Sequence, residues 1–382
     1  MNVGVNGLFV VPAGAGGTWT YLRNVMRELP PLDTSVAYTV FENQESAGIL
    51  NPRNATNVRE IVCPVHAARR PTRLLYEYSV LPLQAKRNRL DVLFCTSFTA
   101  PNRSNYATVV TIHDMRHEDL PESFPMFYRL MLTRLARRAA RSAAQILTGS
   151  EHAKQRIIAA YAVPADRVRV AHLAAEPQYF ARVSHEERER IRQTYQLRNP
   201  YIFSLAAPNY QKNLNLLVDA FIALRRTSIN VRLVAPGFFH PDAAPLREKM
   251  RRAGLESEII ATGWIADADL PALYQDAAAF VVPSRYEGFG IPVLEAMASG
   301  TPVVTTTATS LPEVAGDAAL LVAPDDPAAL TAALRRLFED APLRDHLTAR
   351  GEMQARRFSW KKTAEITLRA LHDATAYRGP KE

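Results

Sequence analysis

Sulfur chemistry is almost absent from this chain, which holds two cysteines, Cys63 and Cys95, in 382 residues. They stand far apart and outside any C-x-x-C or Cys/His cluster, so neither a disulfide framework nor a zinc site is expected and a reducing cytoplasm suits the composition. No apolar run approaches the roughly 20 residues that span a bilayer. Residues 3–11 are apolar but lack a basic start and a cleavage site, and they run into glycines, so they read as a first strand and not as a signal peptide. There is no short-period repeat and no low-complexity segment. Acidic charge is short in one half only. Residues 1–180 hold 21 Lys and Arg against 14 Asp and Glu, and the remainder holds 25 against 24, so the net +8 belongs almost wholly to the first half. Such an excess points to an anionic partner, an acidic membrane surface or nucleic acid. No nucleic-acid reader motif accompanies it, so nucleic acid is not an expected partner.

What the chain does have is an alternation of short apolar runs with helical patterns, ample for two packed cores at this length. Strands are expected at residues 3–11, 91–95, 107–112, 145–148 and 168–172, with a helix at 18–29 after the first. The pattern lapses in a charged stretch, H-E-E-R-E-R-I-R-Q, and restarts with strands at 201–205, 231–234, 259–262, 278–282, 302–305 and 319–322. This rhythm predicts an α/β chain of two Rossmann-like parallel-sheet domains: residues 1–175, a linker at 176–199, and residues 200–358. Ligands of such sheets bind beyond the carboxyl ends of the strands, which makes an interdomain cleft the expected site.

The most informative stretch is S-R-Y-E-G-F-G-I-P-V-L-E-A-M-A-S-G, residues 284–300. It follows one apolar strand and precedes another. Pro292 suits the first residue of a helix and Gly300 its terminator, so a two-turn helix is expected at 292–299. That helix is apolar nearly all round, hence buried, and Glu295 is its only charge. A buried carboxylate needs an arginine, backbone donors or a ligand. The helix opens on the Gly288-Phe289-Gly290 loop, a natural seat for phosphate, while Glu295 suits a ribose diol and Glu287 the hydroxyls of a group beyond the phosphates.

Other candidates are weaker singly. Gly14, Gly16 and Gly17 follow the first strand, where a backbone cradle for phosphate or sugar belongs, but Trp19 stands where a dinucleotide fingerprint needs its third glycine. His113 and Asp114, in T-I-H-D-M, end a strand and face the expected cleft; the imidazole could bond a sugar hydroxyl, with Asp114 holding it or the next loop. Lys212, in Q-K-N, sits at a helix start where the dipole disfavours a cation, which suggests that it answers a phosphate. Asp267-Ala268-Asp269 spells a metal-binding D-x-D yet reads as a helix cap, so no metal is expected. Arg134, Arg137, Arg138 and Arg141 share one helical face, as in a helix lying on an anionic bilayer.

Assembled, these residues resemble a retaining glycosyltransferase of family 4, with the GT-B architecture of two facing Rossmann-like domains. The resemblance runs nearly the whole length and rests on Y-E-G-F-G-I-P-V-L-E-A-M-A-S-G-T-P-V-V, with S-L-P-E-V-A-G-D-A-A-L-L-V, T-I-H-D, T-G-S-E-H-A-K and Q-K-N in support. It implies that Glu295 holds the donor ribose and that Glu287 and the backbone of Gly288, Phe289, Gly290 and Ile291 hold the transferred sugar. Lys212 would neutralise the diphosphate, His113 would lie against the sugar, and Gly16 and Gly17 close to the phosphates and acceptor. A closing helix at 360–377 should return to the first domain. The chain departs from relatives at Ala206 and Ala207, where a glycine and a second basic residue often stand, and at Ala174-Ala175 in place of Asn-Gly. The expected activity is transfer of a hexose, mannose from GDP-mannose, to a lipid-linked glycan in surface polysaccharide assembly, without metal or cofactor, at the inner face of the cell membrane. A UDP-sugar donor and a non-catalytic GT-B subunit are the alternatives.

Overall fold

The computed structural model describes residues 1–11, 16–101 and 106–377, and the chain divides into two compact units, Met1–Leu173 with Ser359–Glu382, and Ala174–Phe358. The first holds seven parallel strands: β1 (Asn2–Gly7), β2 (Ala37–Glu42), β3 (Val58–Val62), β4 (Val92–Cys95), β5 (Ala107–Thr111), β6 (Gln145–Thr148) and β7 (Val168–Val170), in the order β3-β2-β1-β4-β5-β6-β7. Both faces are covered, which is why β4 reads Val-Leu-Phe-Cys without alternation. Leu93 and Cys95 join a core with Leu81, Ala136, Ala139 and Ile157 on one face. Against the other lies the closing helix Trp360–Ala376, which also packs on the helix Gly17–Leu32. Thr363 Oγ1 donates to the carbonyl of His172, and Arg167 Nη1 to Tyr377 Oη at 3.1 Å.

The second unit holds β8 (Tyr201–Phe203), β9 (Arg232–Val234), β10 (Ile259–Ile260), β11 (Ala279–Val282), β12 (Val303–Thr306) and β13 (Ala319–Val322), also parallel, in the order β10-β9-β8-β11-β12-β13. One face packs on the helices Leu214–Arg225 and Pro327–Glu339 through Ile202, Leu233, Val281 and Val304. The other carries an aromatic layer in which Phe203, Tyr274 and Phe280 meet with centroids 4.9–5.5 Å apart. In each sheet the strand order reverses once, at β1/β4 and at β8/β11. Those are the two places where a doubly wound sheet opens a crevice at its carboxyl edge.

Three expectations change. Strands β2 and β3 were not anticipated, although Y-T-V-F in β2 is made of β-branched and aromatic residues that favour a strand. The 176–199 stretch is no linker but part of the second unit. Its charged residues form the helix His185–Thr194, where Ile191 is buried and Arg188 and Arg192 grip Asp276 at 3.1 and 2.8 Å. The third concerns Asp269. It occupies the cap position of the helix Leu270–Asp276 without capping it, and instead accepts from Arg190 and from the Tyr195 hydroxyl, each at 2.7 Å.

Candidate functional site

The loops leaving β8 and β11, the strands at the second sheet's reversal, are tied together by side chains. Asn213, at φ +56°, precedes the helix Leu214–Arg225, and its amide donates to the carbonyls of Pro283 (3.0 Å) and Pro324 (2.8 Å). Gln211 Nε2 reaches the Tyr286 carbonyl at 3.0 Å, and the Arg285 N–H returns to Gln211 O at 2.8 Å. The Lys212 N–H is held by Asn209 Oδ1 at 2.8 Å. This stitching brings Lys212 Nζ to 2.7 Å from Glu287 Oε1, which also accepts from Ser284 Oγ at 2.7 Å. Lys212 stays one-third exposed and Glu287 about one-eighth. The pair is therefore an ammonium and a carboxylate in contact at the rim of the carboxyl edge, open to a ligand.

Beyond Glu287 the backbone is fixed from the side. Thr309 Oγ1 donates to Glu287 O (2.9 Å) and accepts from its N–H (3.0 Å), while Ser310 Oγ bonds the carbonyls of Glu287 (3.0 Å) and Phe289 (2.9 Å). The Phe289 ring is buried against Phe358, 5.8 Å between centroids, so at this position only main-chain atoms are left for a ligand. Gly290 has φ +106°, so the backbone demands glycine, and a Cβ there would also have to displace the tip of the Leu311 side chain, 2.9 Å away. The helix that follows is Ile291–Ala298, with Pro292 in its first turn and Gly300 at φ +79° just past its end. Its amino end and dipole open on the loop.

Among the described residues Glu295, on that helix, meets neither an arginine nor a backbone donor, two of the three kinds of partner expected for it, the third being a ligand. Its hydrogen-bond partner is a phenol: Tyr274 Oη donates to Oε2 at 2.9 Å, with the Tyr179 ring edge-on to Tyr274 at 5.8 Å. Burial pushes the Glu295 carboxyl up to about 7; the Tyr274 and Tyr179 hydroxyls pull it down, and the nearby Glu176 and Asp267 carboxylates raise it further. Neither tyrosine stands out in the sequence, although Tyr274 sits in the L-P-A-L-Y helix just before β11. Ser284, Thr309 and Ser310 were missed too; they lie within or just beyond the very motifs that drew attention.

In the first unit, Gly16 begins the helix Gly17–Leu32, accepting at its carbonyl from the N–H groups of Trp19 and Thr20. A Cβ on Gly16 or Gly17 would meet nothing within 4 Å, so internal packing does not call for glycine at either position. Gly14 lies outside the described residues. His113 follows β5 and donates from Nε2 to the Thr96 carbonyl at 3.1 Å, because a carbonyl can only accept. Tyr21 and Phe98 turn ring edges to it at 5.0 and 6.0 Å. Burial lowers its pKa from the usual histidine range, opposed by the Thr96 bond and the Asp114 charge. The ring is thus neutral near pH 7, with Nδ1 as acceptor. Asp114 holds the next loop, accepting from the Arg116 N–H at 3.0 Å.

The four arginines of the helix Met126–Ser142 divide. Arg137 and Arg141 bond the carbonyls of Ala160 and Tyr161 at 3.5 and 3.2 Å, at the carboxyl end of the helix Glu151–Tyr161. Arg134 and Arg138 are exposed. Among the described residues no group of three or more His, Cys, Asp or Glu is placed to hold a metal ion, and no helix is long and apolar enough to cross a membrane.

Comparison with known proteins bears on the family and the fold. Residues 15–179 match the family model described as Glycosyltransferase Family 4, and residues 186–354 match that of Glycosyl transferases group 1. The O-antigen chain mannosyltransferase B of Escherichia coli is 36% identical over 276 residues, 72% of each chain. The O-antigen chain mannosyltransferase RfbU of Salmonella typhimurium is 26% identical over 336 residues, 84% of this chain and 87% of that one. Among solved structures, the Anabaena protein Alr3699/HepE, in complex with UDP and glucose, superposes with a TM-score of 0.73 at 17% identity, covering 97% of this chain and 99% of that one.

Proposed function

The chain belongs to family 4 of the glycosyltransferases, and from that premise we propose that it transfers mannose from GDP-mannose to a lipid-linked glycan, with retention of configuration and without metal, in O-antigen assembly. The observation that carries this reading is the Lys212–Glu287 contact at the β8/β11 reversal, beside the Gly290-capped helix. Departure of the diphosphate breaks its bond to the sugar's C1, placing negative charge on phosphate oxygen and positive character on the ring. An ammonium and a helix amino end suit the former, and the Glu287 carboxylate suits a sugar hydroxyl or the developing cation. Glu287 is already engaged by Lys212 and Ser284, which disfavours it as a nucleophile. Front-face attack follows: the acceptor oxygen forms the new bond on the side the phosphate leaves, and its proton passes to phosphate oxygen. In the first unit, neutral His113 offers Nδ1 to a sugar hydroxyl and Gly16 and Gly17 leave room beside the helix start. Asp114 shapes the acceptor-side loop. The donor choice rests on the mannosyltransferase names of the relatives, and two exposed aromatics, Phe239 after β9 and Trp264 after β10, supply faces on which a base could stack.

Thermal unfolding with chelator present tests the donor. GDP and GDP-mannose should raise the midpoint, since ligand at about 100 times its dissociation constant adds about 2.7 kcal/mol. A response to UDP and its sugars alone would replace the donor. Silence across GDP, UDP, ADP and their sugars would favour a non-catalytic subunit.

We place the protein peripherally on the cytoplasmic side of the membrane. The helices Arg70–Ser79, Leu81–Arg87 and Met126–Ser142 carry nine Lys and Arg and one acid, Glu77. Arg70 stacks over Tyr128 at 5.3 Å, so the first and last of these are neighbours. The outward face of Met126–Ser142 runs from Met126 and Phe127, 72% and 82% exposed, through Leu130 to Arg134 and Arg138. An apolar end followed by cations suits an anionic bilayer. Co-sedimentation with phosphatidylglycerol vesicles should weaken at least about tenfold in an Arg134→Glu, Arg138→Glu variant. Unchanged binding would remove this surface from the proposal.

A further inference from the structure

Glu295 is the sole charge on the helix Ile291–Ala298, and the group that holds it comes from another element. Tyr274 lies on the helix Leu270–Asp276 with no exposed surface, its ring edge-on to Phe280 (4.9 Å), Phe203 (5.2 Å) and Tyr179 (5.8 Å). Its main chain is pinned as well, since Thr301 Oγ1 donates to the Tyr274 carbonyl at 2.6 Å and Tyr201 Oη to the neighbouring Leu273 carbonyl at 2.7 Å. A phenylalanine would fill this aromatic layer equally well. The hydroxyl is therefore the part that needs explaining, and a buried phenol must find an acceptor. Its acceptor is Glu295 Oε2, at 2.9 Å.

We propose that Tyr274 is a positioning residue: its hydroxyl fixes the Glu295 carboxylate in one rotamer, occupies Oε2, and leaves Oε1 for the vicinal hydroxyls of the donor's ribose. The last clause rests on the ribose reading of Glu295; the first two do not. The groups facing the carboxylate are the hydroxyls of Tyr274 and Tyr179, which favour its ionised form, and the carboxylates of Glu176 and Asp267, which oppose it. The phenols are thus what lets an enclosed, acid-flanked glutamate ionise near neutral pH. A carboxylate can accept from two hydroxyls at once, and a protonated acid cannot do so as well.

The test uses the full chain with Tyr274→Phe, Glu295→Gln and the double variant. First, 13C NMR titration of the Glu295 carboxyl, assigned by its loss in Glu295→Gln, is read without ligand. Tyr274→Phe should move its titration upward by about one pH unit, and an unmoved titration overturns the positioning role whatever the donor site does. Second, GDP and UDP affinities are measured by calorimetry between pH 5.5 and 8.5. Tyr274→Phe should weaken binding of the cognate nucleotide about tenfold at neutral pH and shift its acid limb upward. In the Glu295→Gln background the same substitution should do nothing further. Equal weakening in both backgrounds would make Tyr274 a packing residue only. If Glu295→Gln alone leaves both affinities unchanged, the ribose reading falls while the titration still decides the positioning role. The Tyr274→Phe unfolding midpoint, expected close to that of the parent, checks that the aromatic layer is intact.

Discussion

Replacing Glu295 by alanine is expected to weaken binding of the donor nucleotide by about 100- to 10,000-fold and to erase the rise in unfolding midpoint that the nucleotide produces. Hydrogen bonds to a charged group contribute about 1.5–3 kcal/mol each, and a carboxylate receiving a ribose diol makes two. Each 1.4 kcal/mol is a factor of ten in affinity. The expected pH dependence of stability separates loss of fold from loss of binding. The carboxyl titrates near 7 in the folded chain against an ordinary 4.5. A folded-state pKa raised in an acid means that the native state binds its proton more tightly. The stability this confers is therefore fully present below about pH 4.5, and about 3 kcal/mol of it is lost as pH rises to 7. Relative to the parent, Glu295→Gln should accordingly be more stable at pH 8 than at pH 5, while binding nucleotide poorly at both. Chemical unfolding at the two pH values, alongside calorimetry, separates the effects. Parent-like nucleotide affinity in Glu295→Ala would remove Glu295 from the donor site.

The periodicity of short apolar runs was enough to place eleven of the thirteen strands, and Pro292 and Gly300 bracketed the helix bearing Glu295 to within a residue. Both succeed for the same reason. Burial on two faces and backbone termination are local demands, written in adjacent residues. The misses have a common cause as well. The partner of Glu295 comes from 21 residues upstream, and Lys212 meets Glu287 across 75. Which of several chemically suitable groups arrives is decided by the sheet order, and only the fold exhibits it. The 176–199 stretch reads as a linker because the apolar rhythm lapses there, whereas Arg188 and Arg192 turn inward onto Asp276. Asp269 misled differently: its position is that of a cap, but Arg190 and Tyr195 are stronger competitors for its oxygens than a backbone N–H.

Lys212→Ala should lower the rate of sugar transfer by about 1,000-fold, with a much smaller change in nucleotide affinity. Charge on the leaving diphosphate grows in the transition state, so a cation beside it acts more on the rate than on the ground state. Removing one group that stabilises developing charge in an enclosed site costs about 100- to 1,000-fold. The substitution also deprives Glu287 of its contact at 2.7 Å, leaving only Ser284 on Oε1. The two consequences separate in a cycle with Glu287→Gln. If Lys212 serves mainly to neutralise Glu287, the double variant should recover much of the activity lost in Lys212→Ala, because no unpaired carboxylate remains. If it serves the phosphate, the double variant should be no faster than Lys212→Ala, and Lys212→Arg should restore nucleotide affinity more fully than rate, since a planar guanidinium keeps the charge but not the point geometry of the ammonium. Single-turnover transfer from the donor identified by thermal unfolding is the measurement. Recovery in the double variant would make the Lys212–Glu287 pair a structural clasp and pass the phosphate role to another cation of the second unit.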